Sequence, residues 1–219
     1  MSEPIIVYGA AGSGSVPVEA ALTILDLPYR VVEMGTWFDP AAAEAISKVN
    51  PMRQVPALVL PDGTLMTESA AILIWLAETY PAGRLGPPPG DPTRPVFLRW
   101  MSFVSAAIYS WFWIRDKPER LIPGEAAAAQ INARSKARIA ECWAIMDSQI
   151  TPGRYLLGEE LSVLDLYVAV ISRWASKGRN RFYRAAPGMA DAIRRVDADP
   201  RLERFWAERF PFEDGWEGE

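Results

Sequence analysis

An α/β unit over residues 1–82 and an all-helical domain over residues 96–219, joined by a linker at 83–95, is the architecture this 219-residue sequence predicts. Three observations carry it. Strand-like and helix-like segments alternate through the first eighty or so residues. A proline-rich stretch without periodicity follows, and every apolar pattern beyond it repeats at helical spacing.

The elements follow in order. Ile5-Ile6-Val7-Tyr8 is a short apolar strand ending in the turn-forming run Gly9-Ala10-Ala11-Gly12-Ser13-Gly14-Ser15. Ala20, Ala21, Ile24 and Leu25 then recur with helical spacing, and Tyr29 to Glu33 reads as a second strand. Strand, helix, strand in so short a span is a βαβ unit with parallel strands and a right-handed crossover. Ala41 to Val49 is a short helix stopped by Asn50-Pro51. Pro56 to Leu60 and Thr64 to Met66 flank Asp62-Gly63, a hairpin signal. Ser69 to Tyr80 is an apolar helix ended by Pro81. This order is that of a thioredoxin-type domain. The stretch Pro81 to Pro95 holds six prolines and reads as the linker. Helical patterns follow at Arg94 to Arg115, Glu125 to Ile150, Ser162 to Trp174, Gly188 to Val196 and Arg201 to Phe210.

Composition narrows the chemistry. The net charge of −4 gives no basic field for nucleic acid or an anionic membrane, and no apolar run reaches the roughly 18 residues of a membrane span. With no charged-then-apolar leader at Met1-Ser2-Glu3-Pro4, the expected location is cytoplasmic. Histidine is absent, which excludes Ser-His-Asp and Cys-His catalysis and removes the commonest zinc ligand, so no metal is expected. Cys142, the lone cysteine, excludes both an internal disulfide and a Cys-x-x-Cys pair. It lies midway along a helical pattern and reads as inert core. Hydroxyls, carboxylates, cations, backbone amides, or a co-substrate with its own reactive group remain.

Three short segments carry candidate chemistry. The Gly9 to Ser15 loop, between a strand and a helix N-terminus, presents amides and a helix dipole to an anion. Ser15 reads more readily as an N-cap than as a catalytic group, whereas a cap has no need of Ser13. At Gln54-Val55-Pro56, a cis Val55-Pro56 bond would expose the Val55 amide and carbonyl to an extended peptide docking as an added strand. At Glu68-Ser69, a helix N-terminus can hold a carboxylate while Glu68 takes an ammonium group. A cation site beside an anion site at Glu68-Ser69 is what an amino-acid head group requires.

These residues resemble the glutathione S-transferase superfamily over nearly the whole chain. The matching pieces are Val7-Tyr8-Gly9 with the serine loop, Asn50-Pro51, Gln54-Val55-Pro56-Ala57-Leu58, Glu68-Ser69 and Ile72-Leu73-x-Trp75-Leu76, with the capping-box pattern Gly158-x-x-x-Ser162-x-x-Asp165 in the second half. The resemblance implies the glutathione S-transferase fold and a homodimer. Its implied activity is a detoxifying transferase that joins glutathione, as co-substrate, to a small hydrophobic electrophile. Dehalogenation, isomerisation and peroxide reduction are related outcomes, and a non-catalytic glutathione-binding protein on the same scaffold is the rival. Glutathione would pair with Val55 beside Gln54 and Pro56 and set its γ-glutamyl head on Glu68 and Ser69. Its thiol would meet Ser13 or Ser15. Counting back from the helix gives Gly12 instead, and Tyr8 is a further position. The electrophile pocket would draw on Gly12, Trp37, Phe103, Tyr109 and Phe112.

Overall fold

The structure is a computed structural model that describes residues 3–36, 39–175 and 180–211. Trp37 of the expected electrophile pocket lies outside them.

The first half contains β1 (Ile5–Gly9), α1 (Val16–Ile24), β2 (Tyr29–Glu33), α2 (Pro40–Ser47), β3 (Ala57–Val59), β4 (Leu65–Thr67) and α3 (Ser69–Thr79). The sheet order is β2-β1-β3-β4. As the βαβ pattern requires, β1 and β2 are parallel; β3 runs antiparallel to β1, and β4 to β3. The β3–β4 hairpin turns at Gly63 (φ +84°), with Asp62 Oδ1 accepting the Thr64 amide at 2.9 Å. Residues Val16 through Leu22 of α1 are all buried. An amphipathic surface helix would show an exposed stripe there; α1 lacks one because its other face packs on the second half of the chain.

That half contains α4 (Arg94–Phe103), a π-helical turn (Val104–Tyr109), α5 (Ser110–Asp116), α6 (Glu125–Asp147), α7 (Val163–Arg173), α8 (Asn180–Ala185), α9 (Ala190–Asp197) and α10 (Glu203–Arg209). The single helix expected over Arg94 to Arg115 is therefore interrupted. The extra residue of π geometry re-phases α5 relative to α4, so Phe112 is buried while its neighbour Trp113 is exposed. The short α8 has no counterpart among the sequence patterns, since six residues are too few to display a period.

Helix α7 is buried along its whole length and packs on both α1 and α3. Asp165 fixes its start by accepting from the Leu156 amide (2.7 Å), the Ser162 amide (2.9 Å) and Ser162 Oγ (2.6 Å). One continuous core joins the halves, running from Leu22, Leu73 and Leu76 to Trp100, Met101 and Tyr167. The proline-rich linker is pinned to this body through buried Leu85, whose carbonyl accepts the Val163 amide at 2.7 Å. Among the described residues no helix is long and apolar enough to cross a membrane.

Candidate functional site

Sheet register gathers the candidate segments. Tyr8 of β1 pairs with Ala57 of β3, which pairs with Thr67 of β4. Because β1, β3 and β4 alternate in direction, the loop leaving β1, the residues entering β3 and the residues leaving β4 share one end of the sheet. Strands lie about 4.8 Å apart, so the Ala10–Ser15 loop, Val55 and Glu68–Ser69 span a distance on the scale of a short peptide.

The Val55-Pro56 bond is cis. Asn50 shapes the approach to it: its Oδ1 accepts the Met52 amide (3.0 Å) and its Nδ2 donates to the Gln54 carbonyl (2.9 Å). The Gln54 side chain is exposed, Val55 and Pro56 are buried, and the Val55 amide and carbonyl make no hydrogen bond among the described residues. They form a short open edge.

Glu68 is exposed and holds φ +67°, a conformation unfavourable for a residue with a β-carbon. It occupies the N-cap of α3 without using its side chain as a cap. Ser69 begins the helix and donates to the Tyr167 hydroxyl at 3.3 Å. Burial pushes the Tyr167 phenol up to about 12.

The serines occupy a tight network. Ser15 stands at the N-cap of α1, yet its hydroxyl does not cap. It turns inward, donating to Glu19 Oε1 at 2.6 Å and accepting the Ala10 amide at 3.1 Å. Ser13 Oγ accepts the amides of Ser15 (3.1 Å) and Ala10 (3.3 Å) and lies 2.9 Å from Ser15 Oγ. Ser15 commits its proton to the carboxylate, so across the Ser13–Ser15 contact Ser13 is the donor and Ser15 Oγ the acceptor. Glu19 is fully buried, and its charge is met by Arg209, which donates from Nε to Oε2 at 2.6 Å and also bridges to Glu33. A β-carbon at position 9 would collide with Ser15 and Glu19, so only glycine lets β1 end against this network.

The helical half closes over the loop. Gly12 (φ +70°) donates its amide to the Arg209 carbonyl at 2.8 Å, and its own carbonyl accepts Trp174 Nε1 at 2.7 Å. Tyr109 and Phe112 both pack edge-on against Trp174, with centroids 4.8 and 5.4 Å away. The hydroxyl of Tyr109 fills the space that a side chain on Gly14 would need. Desolvation first, then Tyr167 and Glu68, hold the Tyr109 phenol well above its ordinary value, so it stays a proton donor. Phe103 packs on Trp100 instead, at 5.3 Å. Tyr8 is half-buried on β1 beside the Ile46–Ala57 cluster. Cys142 is buried, and desolvation raises its thiol.

The register therefore brings Val55, Glu68, Ser69 and the serine loop to one place, and Tyr109 reaches that loop from the other half. Sequence reasoning missed Glu19, Arg209 and Trp174. Glu19 left one trace, as a carboxylate four residues after Ser15 on an otherwise apolar helix. Arg209 lies 190 positions from Glu19 and left none.

Similarity to known proteins agrees with this fold. The family profile of the glutathione S-transferase N-terminal domain matches residues 13–79. The uncharacterised glutathione S-transferase-like protein YncG of Escherichia coli K12 is 34% identical over 171 residues, covering 78% of this chain and 82% of its own. The chain belongs to the glutathione S-transferase superfamily. Maleylacetoacetate isomerase of Rattus norvegicus is 28% identical over 174 residues, 76% of each chain. A glutathione transferase homologue from Sulfitobacter, solved with bound glutathione, superposes with a TM-score of 0.81 at 26% identity, covering 95% of this chain and 99% of the other.

Proposed function

We propose that the chain binds glutathione across this end of the sheet, stabilises its thiolate at the Ala10–Ser15 loop and transfers it to a small hydrophobic electrophile. One observation carries the reading: an open backbone edge at Val55, a carboxylate at Glu68 and a helix N-terminus at Ser69 converge at a single sheet end. The cysteinyl unit pairs with the Val55 amide and carbonyl as an added strand. The γ-glutamyl ammonium meets Glu68, and its carboxylate meets the amides and hydroxyl at the start of α3. The bound Sulfitobacter homologue supports glutathione as the ligand.

A free thiol, with a pKa near ~8.5, is mostly protonated at neutral pH. Turned from Ser15 Oγ to the sulfur when glutathione binds, the Ser13 proton favours the thiolate together with the N-terminal dipole of α1. A downward shift of ~2 units corresponds to about 2.7 kcal/mol, within reach of one charge-assisted bond and a helix terminus. The sulfur then attacks the electrophilic carbon, and a C–S bond forms as the bond to the leaving group breaks with its electron pair or, in an addition, as the π pair moves to the neighbouring atom and takes up a proton. Gly12, Tyr109 and Trp174 flank the thiol side, with the Tyr109 hydroxyl as donor to the electrophile. Likeness to the rat isomerase favours a second outcome on the same site, in which the thiolate adds, the adduct rotates and the thiolate leaves.

The same reading pairs the chain with a second copy. Exposed Met52 (68%), Leu65 (46%) and Val96 (44%) support apolar contacts on both halves.

Calorimetric titration with reduced glutathione tests the binding step. Saturable millimolar or tighter binding that weakens at least tenfold in Glu68→Gln is expected. No heat up to ~10 mM, where binding free energy is only a few kcal/mol, would overturn it.

A further inference from the structure

Helix α10 reaches the serine loop through its backbone, where the Arg209 carbonyl accepts the Gly12 amide. That contact also brings the Arg209 guanidinium behind the loop, with its side chain only 17% exposed. A guanidinium is charged at every working pH. Unmatched, it would acidify a thiol held at Ser13 further than attack requires. A thiolate's intrinsic nucleophilicity falls with its pKa, along a slope of about 0.4–0.5, and the best attacking thiol titrates near ambient pH.

Two carboxylates meet this charge. Glu33 lies on the exposed side, and the fully buried Glu19 accepts from Arg209 Nε at 2.6 Å and from a terminal guanidinium nitrogen at 3.2 Å. A short row of oxygens joins Glu19 to the front of the loop. Ser15 Oγ lies 2.6 Å from Glu19 Oε1, and Ser13 Oγ lies 2.9 Å beyond it. The Ala10 and Ser15 amides fill both acceptor positions of Ser13 Oγ, so its proton is all that it can offer a sulfur atom. Of the other charged or titratable groups around Glu19, Tyr29 of β2 bonds to Thr23, and Glu208 of α10 pairs with Arg204. Those of the packed helices α3 and α7 are engaged elsewhere, Glu78 with Arg94, Asp165 with the start of α7 and Arg173 with Asp197.

Resting on the glutathione reading, we infer that Glu19 is a positioning residue that tunes the bound thiol from behind the loop: its carboxylate balances Arg209 and, by holding the Ser15 proton, keeps Ser15 Oγ open to the Ser13 proton. The thiol then ionises near neutrality instead of far below it. Glutamine at position 19 would undo both actions. Its oxygen would turn to Arg209 and its NH₂ to Ser15 Oγ, sending the Ser15 proton to the Ala10 carbonyl, 3.3 Å away. The Ser13 proton, displaced from Ser15, would swing to the sulfur. Loss of the charge and reversal of the hydrogen bonds act in the same direction.

The thiol of bound reduced glutathione is titrated by ultraviolet absorbance in the parent and in Glu19→Gln. A thiol pKa lower by half a unit or more in the variant is expected. A smaller drop, or a rise, would overturn the inference, since a loop merely loosened by the substitution moves the thiol up toward its free value. Glu19→Gln/Arg209→Met, with both charges gone, should regain at least half of the drop, and no recovery would contradict the balance. S-Methylglutathione, which has no ionisable thiol, should bind Glu19→Gln within threefold of the parent. A greater loss would overturn the inference by making Glu19 part of the docking site. Should Glu19→Gln fail to fold, Glu33→Gln replaces it at an exposed position. There a thiol pKa lower by about 0.2 units or more at low salt is expected, and a smaller change contradicts the balance. A parent that binds no glutathione would overturn the proposed function and this inference together. Binding with an unshifted thiol in Glu19→Gln would overturn this inference alone.

Discussion

At the scale of single residues, the buried Glu19 is the costliest group near the site, and its partners decide its effect. Ionised Glu19 behind the serine loop would oppose a thiolate in front of it; Arg209 and the Ser15 proton cancel that field. Arg209→Met is expected to cost about 3–5 kcal/mol in denaturant unfolding, because it strands a buried charge. A loss under 1 kcal/mol would contradict the pairing. Glu68 presents the opposite case, a residue held at φ +67° although glycine would adopt that conformation more readily. Glu68→Gly should leave stability unchanged or raise it by up to about 1 kcal/mol while glutathione affinity falls, as calorimetry and thermal melts would record together. A parallel loss of both would mean the side chain is structural. The role of Glu19 was not legible locally, whereas that of Glu68 as the ammonium partner was read from its place beside Ser69. The Glu68-Ser69 pair could be found by pattern, but its backbone conformation is set by the hairpin before it and α7 beneath it.

At the scale of elements, the π-helical turn matters most. It carries Tyr109 to the serine loop, where its hydroxyl takes the place of a Gly14 side chain. Gly14→Ala should therefore destabilise by about 1–3 kcal/mol. Tyr109→Phe in the same chain should recover part of that, and additive losses in the double-mutant cycle would argue against the contact. Asp165 makes a pH-dependent contribution. Despite three hydrogen bonds, burial pushes its carboxyl up to about 6 from 3.8. The folded state then holds more protons than the unfolded state between those values, so the Asp165 contribution falls as pH rises through that window. Relative to Asp165→Asn, the parent should lose stability between pH 4 and 7, and a constant difference would contradict the raised pKa. The hairpin, the βαβ unit and the capping box could all be read from sequence, since each rests on contacts a few residues apart. The break in α4–α5 could not, because a run such as Trp111-Phe112-Trp113 fits any helical phase until Trp174 and the loop choose one.

At the scale of the whole molecule, the two halves act as one body. Helix α1 is buried on both faces, and Gly12 is held by Trp174 and Arg209 from the far end of the chain. Residues 1–82 alone should not fold, which circular dichroism of that fragment would show; a cooperative melt would contradict it. The two-part architecture was visible in the change from alternating to purely helical patterns. The closure of the second half over the loop was not, because it depends on partners more than 150 positions apart. The central claim is that this closed loop stabilises a glutathione thiolate. The most direct measurement is the ultraviolet titration of the thiol of bound glutathione in the parent and in Ser13→Ala. A thiol pKa at least one unit below that of free glutathione, moving back up by a unit or more in Ser13→Ala, is the predicted result. A bound thiol that titrates like the free one in both proteins would contradict the account and leave a chain that holds glutathione without activating it.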